Sequence, residues 1–155
     1  MKPINIEPSE HPISFPIALL VSRFNQDITH ALLTGALEHL KARGFSAEDI
    51  TVIEVPGALE IPLIAEKLAQ KKQHDVLIAL GAVVRGETTH YDYVCQGVSQ
   101  GCQQVSLTHN IPVIFGVLTT ENEAQAWARL GGAHGHKGVD AAECAIEMQQ
   151  LMKQI

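Results

Sequence analysis

Val76-Leu77-Ile78-Ala79-Leu80-Gly81-Ala82-Val83-Val84 carries no charge, and Arg85-Gly86-Glu87-Thr88-Thr89-His90 follows it directly. A strand with one wet face alternates apolar and polar residues; this run does not, so it reads as a strand covered on both faces. It is far short of the roughly 20 residues that cross a bilayer. Gly86 permits a tight loop, and a long helix is expected from about Thr89 to His109, with Val94, Val98, Cys102 and Val105 on its apolar side.

The same pattern repeats outward from this unit. Upstream, Ile17 to Val21 is a buried strand and Ile50 to Val55 a second strand. The first leads through Arg23-Phe24-Asn25 into a helix capped by Asp27, striped by Ile28, Leu32, Leu33, Ala36, Leu37 and Leu40, and ended by Gly44. The second leads through Pro56-Gly57 into a helix beginning near Leu59, with Ile61, Leu63, Ile64, Ala65 and Leu68 as its apolar side and Pro62 in its first turn. Downstream, Pro112 to Leu118 is a fourth strand. Thr120 with Glu123 forms a capping box for a helix carrying Ala124, Ala126, Trp127 and Leu130. Gly131 to Gly138 reads as a glycine-rich loop, and Asp140 with Glu143 caps the last helix. Strands alternating with helices define an α/β fold: a three-layer αβα sandwich of flavodoxin-like type, with a four-stranded, mainly parallel sheet and helices on both faces. Residues 15–155 are expected to form a single domain, preceded by a flexible or edge-lying arm over residues 1–14.

Composition narrows the function classes. The chain has 155 residues, 46% hydrophobic and 18% charged, enough to bury a core and too apolar for disorder. Its 11 Lys and Arg against 17 Asp and Glu give a net charge of −6, which disfavours nucleic acid as the main partner. Neither an export signal nor a membrane span is read, so the expected location is the cytoplasm. Cys95, Cys102 and Cys144 form no CxxC pair and read as small buried hydrophobes in a reducing compartment.

In an open parallel sheet the loops that follow the strands gather at its carboxyl edge, the usual ligand site. At that edge Glu87 and Thr88 offer backbone N–H groups at a helix start, which suit a phosphate. His90 lies in the first turn, and imidazole exchanges protons near neutral pH. An ordinary capped helix with a surface histidine fits the same residues. Phe24 either stacks on a flat heterocycle or packs. Glu60 either rests near free N–H groups or accepts hydrogen bonds from a polyhydroxylated ligand. Arg129 and Lys137 can supply positive charge, although such groups are commonly only solvated. His134 and His136 lack a third ligand at a suggestive spacing, so a metal is not expected, and no GxGxxG occurs. A Cys95–His90 pair has no better support, and Tyr91, Tyr93 and Trp127 read as packing residues.

Arg23-Phe24-Asn25, Val55 to Pro62, Gly81 to Val98, Pro112 to Glu121 and Gly135-His136-Lys137-Gly138, in this order and spacing, resemble the 6,7-dimethyl-8-ribityllumazine synthase family from about Ile17 to the last helix. The resemblance implies an enzyme of riboflavin biosynthesis. It condenses 5-amino-6-(D-ribitylamino)uracil with 3,4-dihydroxy-2-butanone 4-phosphate to 6,7-dimethyl-8-ribityllumazine, phosphate and water, without a cofactor or metal. It implies stacking by Phe24 and a ribityl and ring site at Ala58, Leu59 and Glu60. Backbone groups of Ala82, Val83 and Val84 would meet the heterocycle. Glu87, Thr88 and Arg129 would hold the phosphate, with His90 as proton carrier. Phe115 would come from a neighbouring subunit, and Lys137 would lie near the site. The resemblance further implies a homo-oligomer of pentamers with sites between subunits. The short Gly131–Gly138 segment favours twelve pentamers in a 60-mer shell, with riboflavin synthase as a potential enclosed partner. His136 stands where the family often has Asn. The rival readings are a non-catalytic flavin- or lumazine-binding protein, a shell-forming structural protein, and a flavodoxin-like electron carrier.

Overall fold

The computed structural model describes residues 1–4 and 13–155. Four strands, β1 (Ile17–Ser22), β2 (Ile50–Val55), β3 (Val76–Val84) and β4 (Val113–Thr120), form one sheet in the order β2-β1-β3-β4. Every pairing is parallel: Ile17 stands opposite Ile50 on one side and Val76 on the other, and Leu77 opposite Val113. The central strands are the aliphatic runs. All six residues of β1 are buried, and so is β3 up to Val83. Complete burial of a Leu or Ile such as Leu19 or Ile78 contributes roughly 1.5–3 kcal/mol.

The two-residue period of the strands divides the core. Ile17, Leu19 and Val21 of β1 and Val76, Ile78 and Leu80 of β3 face α1 (Gln26–Ala42) and, near the C-terminus, α5 (Lys137–Gln154). Ala18, Leu20, Leu77 and Ala79 face the opposite way, onto α2 (Ile61–Lys71) and α3 (His90–His109). Three layers result, as the sequence predicts. A short helix α4 (Glu123–Trp127) and an antiparallel hairpin of β5 (Leu130–Gly132) and β6 (Gly135–His136) join β4 to α5.

Three helix starts depart from the sequence reading. Asn25, not Asp27, is the N-cap of α1; it sits at φ 61° and commits its side chain to the Ala82 carbonyl at 2.9 Å. Asn122 caps α4 by accepting from Gln125 N, while the Thr120 hydroxyl donates to Asn122 O. His136 caps α5, its Nδ1 accepting from Gly138 N and Val139 N, so Asp140 and Glu143 do not. The segment read as a glycine-rich loop is therefore a hairpin followed by a helix start, and Leu130 belongs to β5 rather than α4. Leu63 is 65% exposed, because α2 buries Ile61, Ala65 and Ala69 instead. Cys144 is exposed rather than buried.

Gly44 ends α1 as expected. At φ 93° it lets Phe45 N reach Leu40 O while its own N–H reaches Lys41 O. Of the arm read over residues 1–14, residues 5–12 lie outside the described residues. Ser14 is fixed: its hydroxyl donates to Asp49 and accepts from Ser46 N.

Glu143 ties α5 to α1 by accepting from Arg43 and lying 2.6 Å from His39 Nε2. Burial alone would raise its carboxyl, but the Arg43 and His39 hydrogen bonds outweigh it and hold the pKa below the usual range. A carboxylate depressed in the folded state stabilises above its unfolded pKa, and that contribution is lost as pH falls through the folded one. Glu143→Gln should cost less than about 1 kcal/mol at pH 7, since the carboxylate is nearly half exposed, and nothing once both states are protonated. Urea unfolding of both proteins at pH 7 and at about pH 3 checks this; equal differences at the two pH values would contradict it.

Candidate active site

The carboxyl edge of the sheet holds a cavity of about 530 Å³. Each strand end supplies part of it. Phe24 and Asn25 follow β1, Pro56 to Glu60 follow β2, and Ala82 to Val84 close β3. Gly86, Thr88, His90 and Tyr91 come from the loop into α3 and its first turn. Phe24 is 73% exposed, so its ring is a wall of the cavity and not a core residue. The Asn25–Ala82 hydrogen bond fixes the β1–α1 turn on which that ring stands. The Glu60 carboxylate folds back over Gly57, where an added Cβ would lie 2.8 Å from its Oε2. On α3, Gly97 leaves room for the Leu59 side chain, which brings the 58–60 turn against the helix behind the cavity.

The loop before α3 is unusual in its hydrogen bonding. Arg85 N donates to Thr120 O, and His90 N to the Thr88 hydroxyl. The N–H groups of Gly86, Glu87, Thr88 and Thr89 donate to no acceptor among the described residues. Consecutive unpaired amides leading into a twenty-residue helix are an arrangement that suits an anion, and His90 stands beside them.

The residues singled out in the sequence divide between two surfaces. Phe24, Ala58, Leu59, Glu60, Ala82, Val83, Val84, Thr88 and His90 line the cavity. Glu87 lies on the loop beside it and does not line it. Phe115, Arg129 and Lys137 lie in a second concavity of about 590 Å³ along the open edge of β4, together with Asp140, Cys144 and Met148. There Phe115 is 45% exposed, Lys137 lies 3.4 Å from Asp140, and Lys137 N donates to Arg129 O across the hairpin. Arg129 follows α4, and its guanidinium donates to Gln125 O at 2.8 Å, the favourable place for a cation at a helix end.

Asn25, Tyr91 and Val94 line the cavity without a site role in the sequence reading, as do the turn residues Pro56, Gly57 and Gly86. Asn25 was part of the quoted Arg23-Phe24-Asn25 signal without a role, and Tyr91 was read as packing. Tyr93, also read as packing, is 71% exposed. Burial pushes the Cys95 thiol pKa up and that of Cys102 up to about 11, so neither has thiolate character for a Cys–His pair. His136 spends Nδ1 on the α5 cap. Among the described residues no three His, Cys, Asp or Glu side chains converge as a metal site.

A parallel four-stranded sheet with a cavity, a run of unpaired amides and a histidine at its carboxyl edge places the chain in the flavodoxin-like α/β class, whose small-molecule sites lie at that edge. The model of the 6,7-dimethyl-8-ribityllumazine synthase family matches residues 14–153, and the chain belongs to that family. It is 53% identical over 142 residues to the 6,7-dimethyl-8-ribityllumazine synthase of Coxiella burnetii strain CbuG_Q212, covering 92% of this chain and 94% of that protein. The protein of that name from strain RSA 493 / Nine Mile phase I matches equally, and that from strain Dugway 5J108-111 is 52% identical.

Proposed function

We propose that this chain condenses 5-amino-6-(D-ribitylamino)uracil with 3,4-dihydroxy-2-butanone 4-phosphate to form 6,7-dimethyl-8-ribityllumazine. The observation that carries the reading is the cavity, which joins an aromatic wall, a carboxylate, an anion cradle and a histidine in one place. Phe24 stacks on the pyrimidine, and Ala58, Leu59 and Glu60 take the ring and ribityl chain. Backbone groups of Ala82, Val83 and Val84 read the heterocycle. The N–H groups of Glu87 and Thr88 hold the phosphate. The uracil 5-amino group attacks the ketone and water leaves to give an imine. Phosphate is then eliminated, and the ribitylamino nitrogen closes the ring with loss of water. His90 gives and takes protons through these steps. Holding two substrates in register supplies much of the remaining acceleration.

Phe115, Arg129 and Lys137 face a different concavity of the same chain. Their roles at this site require a second copy whose β4 edge covers the cavity, with Arg129 joining the phosphate. An exposed edge strand carrying a half-exposed Phe115 suits such an interface. We assign the chain to pentamers, twelve of which close a 60-mer shell able to hold riboflavin synthase, the consumer of the product, in the cytoplasm. Residues 15–155 act as one domain, with residues 1–14 as an arm. No helix among the described residues is long and apolar enough to cross a membrane.

The test is lumazine formation from the two substrates, followed by absorbance. Wild type should form product, and His90→Ala should lower kcat by roughly 10- to 100-fold. That is at or below the low end for a positioned acid–base, because the rest of the site still holds the two substrates in register. An assembled wild type that binds the pyrimidine amine without turnover would contradict the reaction.

A further inference from the structure

The anion cradle can receive a phosphate only if its amides stay unpaired, so the N–H groups of Gly86 to Thr89 contribute no hydrogen bond that would fix the loop, and the Asp92 N–Thr89 O bond holds only its last residue. Gly86 adds no packing, since a Cβ there would meet nothing within 4 Å. Something else must hold the loop in shape.

Arg85 is built for this task. Its N–H fixes the loop's first residue to Thr120 at the end of β4. Its guanidinium then reaches in three directions: Nε donates to Glu121 at 2.6 Å, Nη2 donates to Asp92 at 3.3 Å, and its carbon lies 4.2 Å from the Tyr91 ring centroid. Asp92 and Tyr91 belong to the same first turn of α3 as His90, and Glu121 follows directly on β4. One side chain thus spans the cradle, joining the strand end on which the loop starts to the helix turn on which it finishes. Tyr91 lines the cavity and Arg85 does not.

We propose that Arg85 is a positioning residue, clamping the Gly86–Thr89 amides and His90 in register for the phosphorylated substrate; this rests on the site assigned above. The ion pairs are too exposed to matter much for stability, since Glu121 and Asp92 are each 58% exposed. The clamp's effect is therefore geometric, and misplacing a reacting group by a fraction of an ångström to 1 Å costs about 10- to 100-fold in rate.

The experiment compares assembled wild type, Arg85→Gln, Arg85→Lys and Glu121→Gln. It reads the thermal midpoint, inorganic phosphate affinity, and kcat with KM for each substrate. Arg85→Gln should hold its midpoint within about 2 °C. Its phosphate affinity and kcat should each fall about 10-fold, KM for the ketone phosphate should rise, and KM for the pyrimidine amine should stay within about 2-fold. Arg85→Lys should recover little, because a point charge cannot reach two carboxylates in the fork geometry. Glu121→Gln separates clamp from field. Removing a negative charge near the cradle would tighten phosphate by simple electrostatics, whereas a broken clamp weakens it. Tighter phosphate in Glu121→Gln, or wild-type phosphate affinity and kcat in Arg85→Gln, would overturn the proposal. So would equal losses for both substrates with a lowered midpoint, which mark general damage. Phosphate affinity is read without turnover, so a wild type that binds phosphate yet forms no product rejects the reaction and still decides the clamp.

Discussion

Arg129→Ala is expected to lower kcat/KM for 3,4-dihydroxy-2-butanone 4-phosphate by about 10²- to 10³-fold, with affinity for the pyrimidine amine changed by less than about 3-fold. Arg43, Arg85 and Lys137 already face carboxylates, whereas Arg129 meets no carboxylate among the described residues. Its one hydrogen bond, to Gln125 O, holds the stem and leaves further guanidinium donors. Those donors suit an anion that is bound as an ester and leaves as free phosphate, gaining charge on the way, so the effect should fall on kcat as well as KM. Arg129→Lys should recover only part of the loss, because an ammonium makes point contacts where a guanidinium can bind two oxygens. The thermal midpoint should hardly move, since no buried group depends on Arg129. Steady-state kinetics with each substrate varied in turn checks the split; equal losses for both substrates would place Arg129 outside the phosphate site.

The second large effect is on stability. Gly138→Ala should destabilise the chain by about 3 kcal/mol or more. A Cβ at this position would stand 2.2 Å from Leu32 O and 3.0 Å from His136 Cε1. The obstacle is the backbone of α1, which cannot swing aside as a side chain would. Relief requires α5 to move away from α1, opening the packing of Ala142, Ala145 and Ile146 against Leu32 and Ala36 and loosening the hairpin that carries Arg129. Gly86→Ala, with nothing within 4 Å of the new methyl, should change stability by less than about 0.5 kcal/mol. Urea unfolding at one fixed protein concentration separates the two variants; similar midpoints would contradict the close approach of the helices.

The strands were the most legible elements. Val76–Val84 has the observed limits because a strand covered on both faces must be aliphatic along its length, and that constraint is local; the edge strand Ile50–Val55, with Thr51 and Glu54 exposed, was marked by its β-branched run between turn signals. Helix starts were less legible. Asp27, Thr120 and Asp140 are residue types that cap helices, yet Asn122 and His136 cap α4 and α5, and Asn25 takes the N-cap position of α1 without a side-chain cap bond. Capping depends on where the preceding strand or hairpin delivers the chain, and on tertiary claims such as that of Ala82 O on the Asn25 side chain. The cavity residues could be named from their motifs. Their separation from Phe115, Arg129 and Lys137 could not, because it follows from α4 and the hairpin delivering Arg129 and Lys137 beside the open edge of β4. The Arg85 clamp is not legible in the sequence for a related reason: Asp92 lies close along the chain, but Glu121 becomes a partner only through the β3–β4 pairing.

The central claim is that one copy's cavity and another copy's β4 edge form a single catalytic site. Co-assembling Arg129→Ala with a Glu60→Ala/His90→Ala double variant, each nearly inactive alone, tests it most directly. In a ring of head-to-tail contacts, random mixing in equal amounts brings an intact cavity against an intact edge at about a quarter of the interfaces. Mixed assemblies should therefore recover lumazine formation to about a quarter of the wild-type rate per chain. Activity no higher than the mean of the two parent variants would contradict the shared site.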